Sequence, residues 1–253
     1  MAAYSITDFA NAIPNRLRDD ANKLVPVAAD GTPQTAQLAS VLEDFALRAI
    51  VRYSKDKPLQ RVSDVVSPGG NTLPLPGTAG GDSFDPAFSI VKKIEWPIAQ
   101  IPPQYLLDSD FLLYQQPDAW CILLCSDLPS AGDTFRVTWT DAHAVDGSTV
   151  PPSDFHAVVD YAAHLAAMQL ATVYAQTGDP TIGADVVNYR TKSQEYTSLA
   201  NVLRKRYFAH VGVDDSGNAG ANSSVVAPAI AIGNQHNIMG SGVDRLIHNR
   251  YTR

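Results

Sequence analysis

The sequence predicts an α+β fold in which helical segments flank a β-rich middle, and three observations indicate it. Apolar residues recur at three-to-four spacing over residues 33–53 and again over 153–210. Between residues 59 and 143 the apolar runs are short and are broken by Pro and Gly. A Gly-, Asn- and Ser-rich stretch follows residue 212. We therefore divide the chain into N-terminal helices (1–58), a β-rich insertion (59–148), a C-terminal helical hairpin (149–212) and a linker with an extended arm (213–253).

Composition excludes several classes of protein. The chain of 253 residues is 45% hydrophobic, enough to bury a core. A net charge of -7 with only 19 Lys and Arg argues against a dedicated nucleic-acid binder. No apolar stretch approaches the length that spans a bilayer, and the first residues lack the pattern of a signal peptide. We expect no membrane partner.

Two cysteines, Cys121 and Cys125, lie in one apolar run. On a strand they would point to the same face at a separation too long for a disulfide bond. A lone pair at this spacing is also a poor zinc site. We expect two reduced, half-buried thiols in a protein made in a reducing cytoplasm.

The N-terminal helices come first. Thr7 is the expected N-cap of a short helix that continues toward Leu17. A second helix is predicted from about Pro33 to Tyr53, and Pro58 closes it. Its apolar stripe consists of Leu38, Val41, Leu42, Phe45, Ile50 and Val51.

The middle segment has the pattern of short strands separated by turns. Strands are predicted at residues 88–96, 120–125 and 135–140, and the last alternates strictly between apolar and polar residues. The Gly pairs at residues 69–70 and 80–81 are turn glycines because no helix follows them. We expect a small antiparallel β-sandwich or barrel.

The C-terminal hairpin is predicted from its caps and its apolar face. Ser153 is the expected N-cap, with Asp154 in the first turn. The first helix is predicted to stop at residues 177–180, and a second helix to run from near Ala184 to about His210. Because the connection is short, the two helices should form an antiparallel pair. The first helix presents Phe155, Val158, Val159, Ala162, Leu165, Ala166, Leu170 and Val173 on one face.

The arm has a composition that suggests docking. Residues 214–224 form a flexible linker, and the arm beyond it is apolar where a solvated tail would be polar. Such a segment docks on a partner or on a neighbouring copy, or else forms an edge strand of its own domain. Its predicted docking residues are Val225, Val226, Ile230, Ile232, Met239, Leu246, Ile247 and Arg250.

Candidates for chemistry are few. His156, Asp160 and His164 follow one side of a helix, which fits either a metal site or a solvated polar face. The aspartates of the middle segment lie beside turn residues, where Asp caps backbone groups, although a glycosidase pair would leave no spacing signature. No motif for a nucleophile, nucleotide or zinc protease is present. We expect no catalytic residue, cofactor or metal.

The last predicted helix has a basic side, formed by Lys192 and residues 204–206. A solvated helix C-terminus explains it, because cations are favoured there. The alternative is contact with an acidic neighbour or with DNA passing close by.

The hairpin carries a family resemblance. Residues 174–185, 189–196 and 203–207, with the upstream strand at 135–144 running into 149–151, resemble head-to-tail connector (portal adaptor or neck) proteins of tailed bacteriophages. The resemblance covers most of residues 35–212, and its specific part is 150–210. The β insertion departs from the purely helical connectors.

This resemblance implies a non-enzymatic virion protein in the neck between head and tail. It implies a homo-oligomeric, dodecameric ring that links the portal protein to tail or nozzle proteins while genome DNA passes without sequence recognition. Residues 225–253 would dock on the portal. The ring contacts of the helices would be Tyr189, Arg190, Lys192, Tyr196, Arg204 and Tyr207. The alternatives are a head-completion stopper, a tail terminator, or an enzyme or carbohydrate-binding module on the β segment.

Overall fold

A computed structural model describes residues 4–25, 35–77, 84–117, 119–125, 129–176 and 192–213. Several predictions fall outside these ranges: the stop at 177–180, the helix start near Ala184, the contacts of Tyr189 and Arg190, and the linker and arm from residue 214 onward. Within the described residues, the predicted α+β class is confirmed. No helix among them is both long and apolar enough to cross a membrane.

The first helical segment is broken in two. Helix α1 spans Ile6–Ala12 and α2 spans Pro14–Leu17, followed by a 3-10 turn at Arg18–Leu24. Thr7 is not the N-cap. Ser5 is, because Asp8 stands three residues after it and the two side chains satisfy each other's backbone N–H groups at 3.3 and 2.8 Å. Pro14 starts α2 where its missing N–H costs nothing.

Helix α3 spans Thr35–Asp56, so it ends before Pro58 as predicted but runs three residues past the predicted end at Tyr53. Leu42, Phe45 and Ile50 of the predicted stripe are buried. Val51 is not part of that stripe, since 46% of it is exposed. At 100° per residue it lies nearly opposite Ala49, which is fully buried on the core face.

In the described part of the β unit, six strands form two antiparallel sheets. The strands are β1 (Leu59–Val66), β2 (Thr72–Pro74), β3 (Val91–Glu95), β4 (Phe111–Gln115), β5 (Trp120–Leu124) and β6 (Thr134–Asp141). The sheet orders are β1-β6-β3 and β2-β5-β4. Alternation in β6 buries Phe135, Val137 and Trp139 against Leu73 and Ile122 of the second sheet. The two sheets therefore share one apolar cluster.

The two cysteines differ in exposure. Strand β5 ends at Leu124, so Cys121 lies within it and is buried, whereas Cys125 lies beyond it and is exposed. Both are free thiols. The prediction of unbridged cysteines is confirmed, and that of two half-buried side chains is wrong.

Helices α4 (Phe155–Gln176) and α5 (Lys192–Val211) form the predicted antiparallel pair. His164 lies beside Ala200, and Ala171 lies beside Ser193. Ser153 is not the N-cap of α4. A 3-10 turn at Pro152–Asp154 precedes the helix, and its cap residue Pro151 has no side-chain hydrogen bond to offer.

The helices from both ends of the chain share one core. Phe9 of α1, Tyr53 of α3, Val158 of α4 and Leu203 of α5 belong to the same buried cluster. Small side chains of α4 let its neighbours approach closely: Ala162, Ala163, Ala166 and Ala167 are fully buried. The β unit is thus inserted into one helical unit, between α3 and α4.

Candidate functional site

A polar junction lies where the β unit joins the helical unit, and Asp154 is its centre. This carboxylate precedes α4 and is 3% exposed. It accepts hydrogen bonds from Tyr53 Oη of α3, from Lys57 Nζ at 2.7 Å and from His210 Nε2 of α5 at 2.9 Å. Ser153 Oγ adds a fourth at 3.1 Å. One carboxylate therefore ties together the ends of three helices.

The electrostatics of the junction favour a charged Asp154. Burial alone would raise the pKa of its carboxyl, but hydrogen bonds from Lys57, Tyr53 and His210 outweigh burial and hold that pKa well below its ordinary value. Burial and the bond to Asp154 raise the pKa of Tyr53, which stays a neutral donor.

His143 occupies the second layer of the junction, just after β6. Its Nε2 lies 3.0 Å from the carbonyl oxygen of Lys57, and its Nδ1 lies 3.1 Å from both the carbonyl and the hydroxyl of Thr149. Its backbone N–H donates to Ser54 Oγ at 3.0 Å. Burial lowers the pKa of His143, so the ring is neutral at pH 7. The return connection from the β unit is therefore fixed to the end of α3.

A third polar group joins α3 to α5. Tyr207 Oη donates to Asp56 Oδ2 at 2.7 Å, and Arg52 Nε donates to the same oxygen at 2.8 Å. Burial, with the bond to Asp56, raises the pKa of Tyr207. Among the described residues, no buried side-chain nitrogen or oxygen lacks a hydrogen-bond partner. These groups hold elements in place, and each of their buried polar atoms already has a hydrogen-bond partner.

The polar residues along one side of α4 do not form the solvated face that is one of the two predictions for them. His156 is exposed, but Asp160 and His164 are each 8% exposed, so they do not form a solvated face. Asp160 accepts from Arg16 Nε of α2 at 2.7 Å, and His164 Nδ1 lies 2.9 Å from the carbonyl oxygen of Ala200. Both bind neighbouring helices. No group of three metal-binding side chains occurs in the part of the chain described.

The predicted ring contacts separate into surface and interior. Lys192 is exposed, and its ammonium lies over the Tyr174 ring at 5.2 Å. Tyr196 is half-buried and stacks on the same ring at 5.5 Å. Arg204 is half-buried over Phe208. Tyr207 is fully buried, so it packs inside the helical unit and offers no surface to another copy.

An apolar groove lies on the β unit, between β4 and the chain that leads into β3. Its volume is about 390 Å³. Phe111, Leu112 and Leu113 of β4 line one side, with Phe84, Pro86, Ser89, Ile90 and Val91 on the other. The only charged or polar side chain among these is the Ser89 hydroxyl, so the groove fits an apolar occupant.

The outer face of the second sheet continues this apolar surface. Strand register places two cross-strand rows on it, which are Thr72–Leu123–Leu112 and Pro74–Cys121–Tyr114. Leu112 and Tyr114 are 44% and 45% exposed. None of the six residues is charged. Cys121 is buried, so the solvent-facing part of these rows is on β4, at Leu112 and Tyr114. An uncharged, exposed strand surface of this kind is typical of a contact site.

Comparison with known proteins assigns no relative. No family model matches the chain, and no curated protein matches it.

Sequence reasoning missed both the junction and the groove. Asp154 was recognised only as a first-turn anion, although a buried carboxylate needs cationic or hydroxyl donors, and Tyr53, Lys57 and His210 were available. The uncharged sequence of β4, residues 111–115, was the signal for the groove. Neither grouping follows from spacing, since its members are far apart in the chain.

Proposed function

We propose that the protein is a structural component of a tailed-phage virion, a ring-forming head-to-tail adaptor that links the portal to the tail and lines the DNA exit path. The supporting observation is the α4–α5 hairpin, the segment that carries the resemblance, packed with α1 and α3 in one continuous core. Such a body keeps its shape when copies press against one another. An adaptor needs that property.

The surface of α5 supplies contacts for the ring. Lys192, Lys205 and Arg206 are exposed, and Arg204 is half-buried. In a chain of net charge -7, a basic side on one helix complements the acidic remainder of a neighbouring copy. The same side chains can face DNA in the channel, where contacts to phosphates carry no sequence information.

The arm supplies the contact to the portal in this proposal. Residues 225–253 leave the helical unit after α5 through a Gly- and Asn-rich linker and carry apolar side chains with Arg245, Arg250 and Arg253. An extended segment that orders on docking covers a large surface with few residues.

Deletion of residues 214–253 tests the arm directly. All the core residues in the described part of the chain lie before residue 214. We expect the truncated protein to keep the melting temperature of the full chain within about 2 °C, since the deletion removes none of the described core residues. Its retention on the immobilised portal protein should disappear. Unchanged portal binding by the folded, truncated protein would contradict the role of the arm.

A further inference from the structure

Strand β4 is an edge strand of the β unit that lacks the features which usually prevent the addition of another strand. The sheets have four edge strands, β1, β3, β2 and β4. Strand β1 carries Arg61 and Asp64, β3 carries Lys92 and Lys93, and β2 is three residues long and ends in Pro74. Charges, proline and short length are the devices that prevent edge strands from pairing. Strand β4, with the sequence FLLYQ, has none of them.

The backbone of β4 is ready to accept another strand. Cys125 N–H donates to the Asp110 carbonyl at 2.7 Å, and Gln116 N–H donates to the Ala119 carbonyl at 2.8 Å. Because β-strand residues alternate, the even-numbered residues of β4 bond toward β5. The N–H and C=O groups of Phe111, Leu113 and Gln115 therefore point away from it, and no described strand pairs with them. The apolar groove lies along this edge.

The chain outside the described residues contains a segment of matching chemistry. Residues 216–243 include no Asp, Glu, Lys or Arg. Within them, residues 225–232 read VVAPAIAI, which is rich in β-branched residues with Ile230 and Ile232 alternating. The segment also contains Pro228, which an added strand tolerates because that strand is itself an edge, where the side without an N–H can face away from β4. An uncharged, apolar strand suits an uncharged edge and an apolar groove, and a charged strand would lose its hydration there.

The arm also starts at the end of the helical unit that carries the β unit. His210, near the end of α5, bonds to Asp154, which also holds Lys57 two residues before β1. The arm therefore leaves the helical unit at the end that carries the β unit. Its first eleven residues, 214–224, reach at most about 38 Å when fully extended. A neighbouring copy is within reach of the arm when its β4 edge lies within that distance of residue 213.

We infer that residues 225–232 of one copy add as a strand to the free edge of β4 in the neighbouring copy, covering Leu112 and the groove beside it. Arm and edge are different surfaces, so the contact is head-to-tail, the type of contact that builds the proposed ring when the rotation between copies closes. The remaining arm, with Met239, Leu246, Ile247 and Arg250, stays available for the portal. The inference rests on the proposed ring and identifies the contact that closes it.

Two variants and their mixture test the strand exchange. Leu112→Lys places a charge beside the free edge, and Ile230→Asp with Ile232→Asp places two charges in the arm strand. We expect the wild-type protein to form oligomers and each variant alone to be monomeric by native mass spectrometry. An equimolar mixture retains one intact arm and one intact edge. It should form a 1:1 heterodimer of about 54 kDa, twice the chain mass of 27.2 kDa.

Matched controls identify the cause of any change. Val62→Lys introduces the same charge at a 58%-exposed valine on β1, and Leu246→Asp with Ile247→Asp charges the distal arm. Both should form oligomers like the wild type. Melting temperatures of all variants establish that they fold, and hydrogen exchange at Phe111, Leu113 and Gln115 should be slow only in the oligomers.

Three results would overturn the inference. They are oligomers of unchanged size in both variants, a wild-type monomer at all concentrations, and protection of the β4 amides in a monomer, which would mean that the arm binds its own chain. Oligomers that persist in both variants while portal binding is retained would remove the strand exchange and leave the adaptor function standing. Intact strand exchange with no portal binding would leave the strand exchange standing and remove the adaptor function.

Discussion

At the scale of single residues, the molecule concentrates its polar chemistry where it must hold position. Asp154 receives hydrogen bonds from Tyr53, Lys57, Ser153 and His210, which come from three separate parts of the chain. A buried carboxylate with several donors favours one arrangement of the elements that carry them, because any other arrangement would leave those donors without this partner. The junction therefore selects one arrangement of α3, α4 and α5.

Replacement of Asp154 by Asn tests this role. The substitution keeps the shape and removes the charge, so we expect a loss of about 2 kcal/mol in the free energy of unfolding, measured with urea. Asp44→Asn is the matched control, because Asp44 bonds to Arg48 on the surface, and its cost should stay below about 0.5 kcal/mol. Equal losses in the two variants would contradict the role of Asp154.

The pH dependence of this loss has a defined sign. The pKa of Asp154 is lower in the folded protein than its ordinary value of about 3.9. Its stabilisation is therefore present above about pH 4 and is lost as the pH falls below that value. The difference in stability between wild type and Asp154→Asn should shrink below about pH 4.

His143 makes a prediction of the same sign as Asp154, but near neutral pH. Its pKa is lowered mainly by burial, so the unfolded chain takes up the proton first, at about pH 6.5. The wild type should lose stability as the pH falls from 7 to 5, and His143→Gln should lose less over that range. An identical slope in His143→Gln would exclude His143 as the titrating group.

At the scale of elements, the connection between β6 and α4 is shaped by Gly147. Its φ is +81°, and an added Cβ would lie 2.6 Å from Phe9 Cε2 of α1. Gly132, in the turn before β6, has φ +96° with open space around it. The two glycines therefore share a backbone requirement and differ in packing.

Alanine at each glycine separates these two effects. Both substitutions incur the backbone cost of about 1 kcal/mol. Gly147→Ala should lose a further ~1–3 kcal/mol, because Phe9 must move in a well-packed core. Thermal unfolding of both variants measures the difference. A Gly147→Ala variant as stable as Gly132→Ala would mean that α1 does not pack on this connection as described.

Local patterns predicted elements better than their ends or their partners. Strand β6 and helix α3 followed from alternation, three-to-four spacing and Pro58, all of which act on neighbouring residues. The caps at Thr7 and Ser153 were wrong, because a nearby residue decides which side chain reaches the backbone: Asp8 for Ser5, and the rigid pair Pro151–Pro152 before Ser153. Burial of Asp160 and His164 depends on α2 and α5, which lie far away in sequence.

At the scale of the whole molecule, one helical unit is completed by segments from both ends of the described chain. The β unit is inserted between α3 and α4 and is held at its base by Asp154 and His143. The arm leaves from the same end. In the proposed ring, the helical unit is separate from the two binding surfaces, which are the free edge of β4 and the arm.

The most direct test of the adaptor function is the native mass of the full-length protein with its portal protein. We expect a closed complex with many copies of this chain, near twelve, on one portal ring, and cryo-electron microscopy should show the α4–α5 hairpin in the ring body. A protein that remains monomeric and passes the portal without binding would contradict the account.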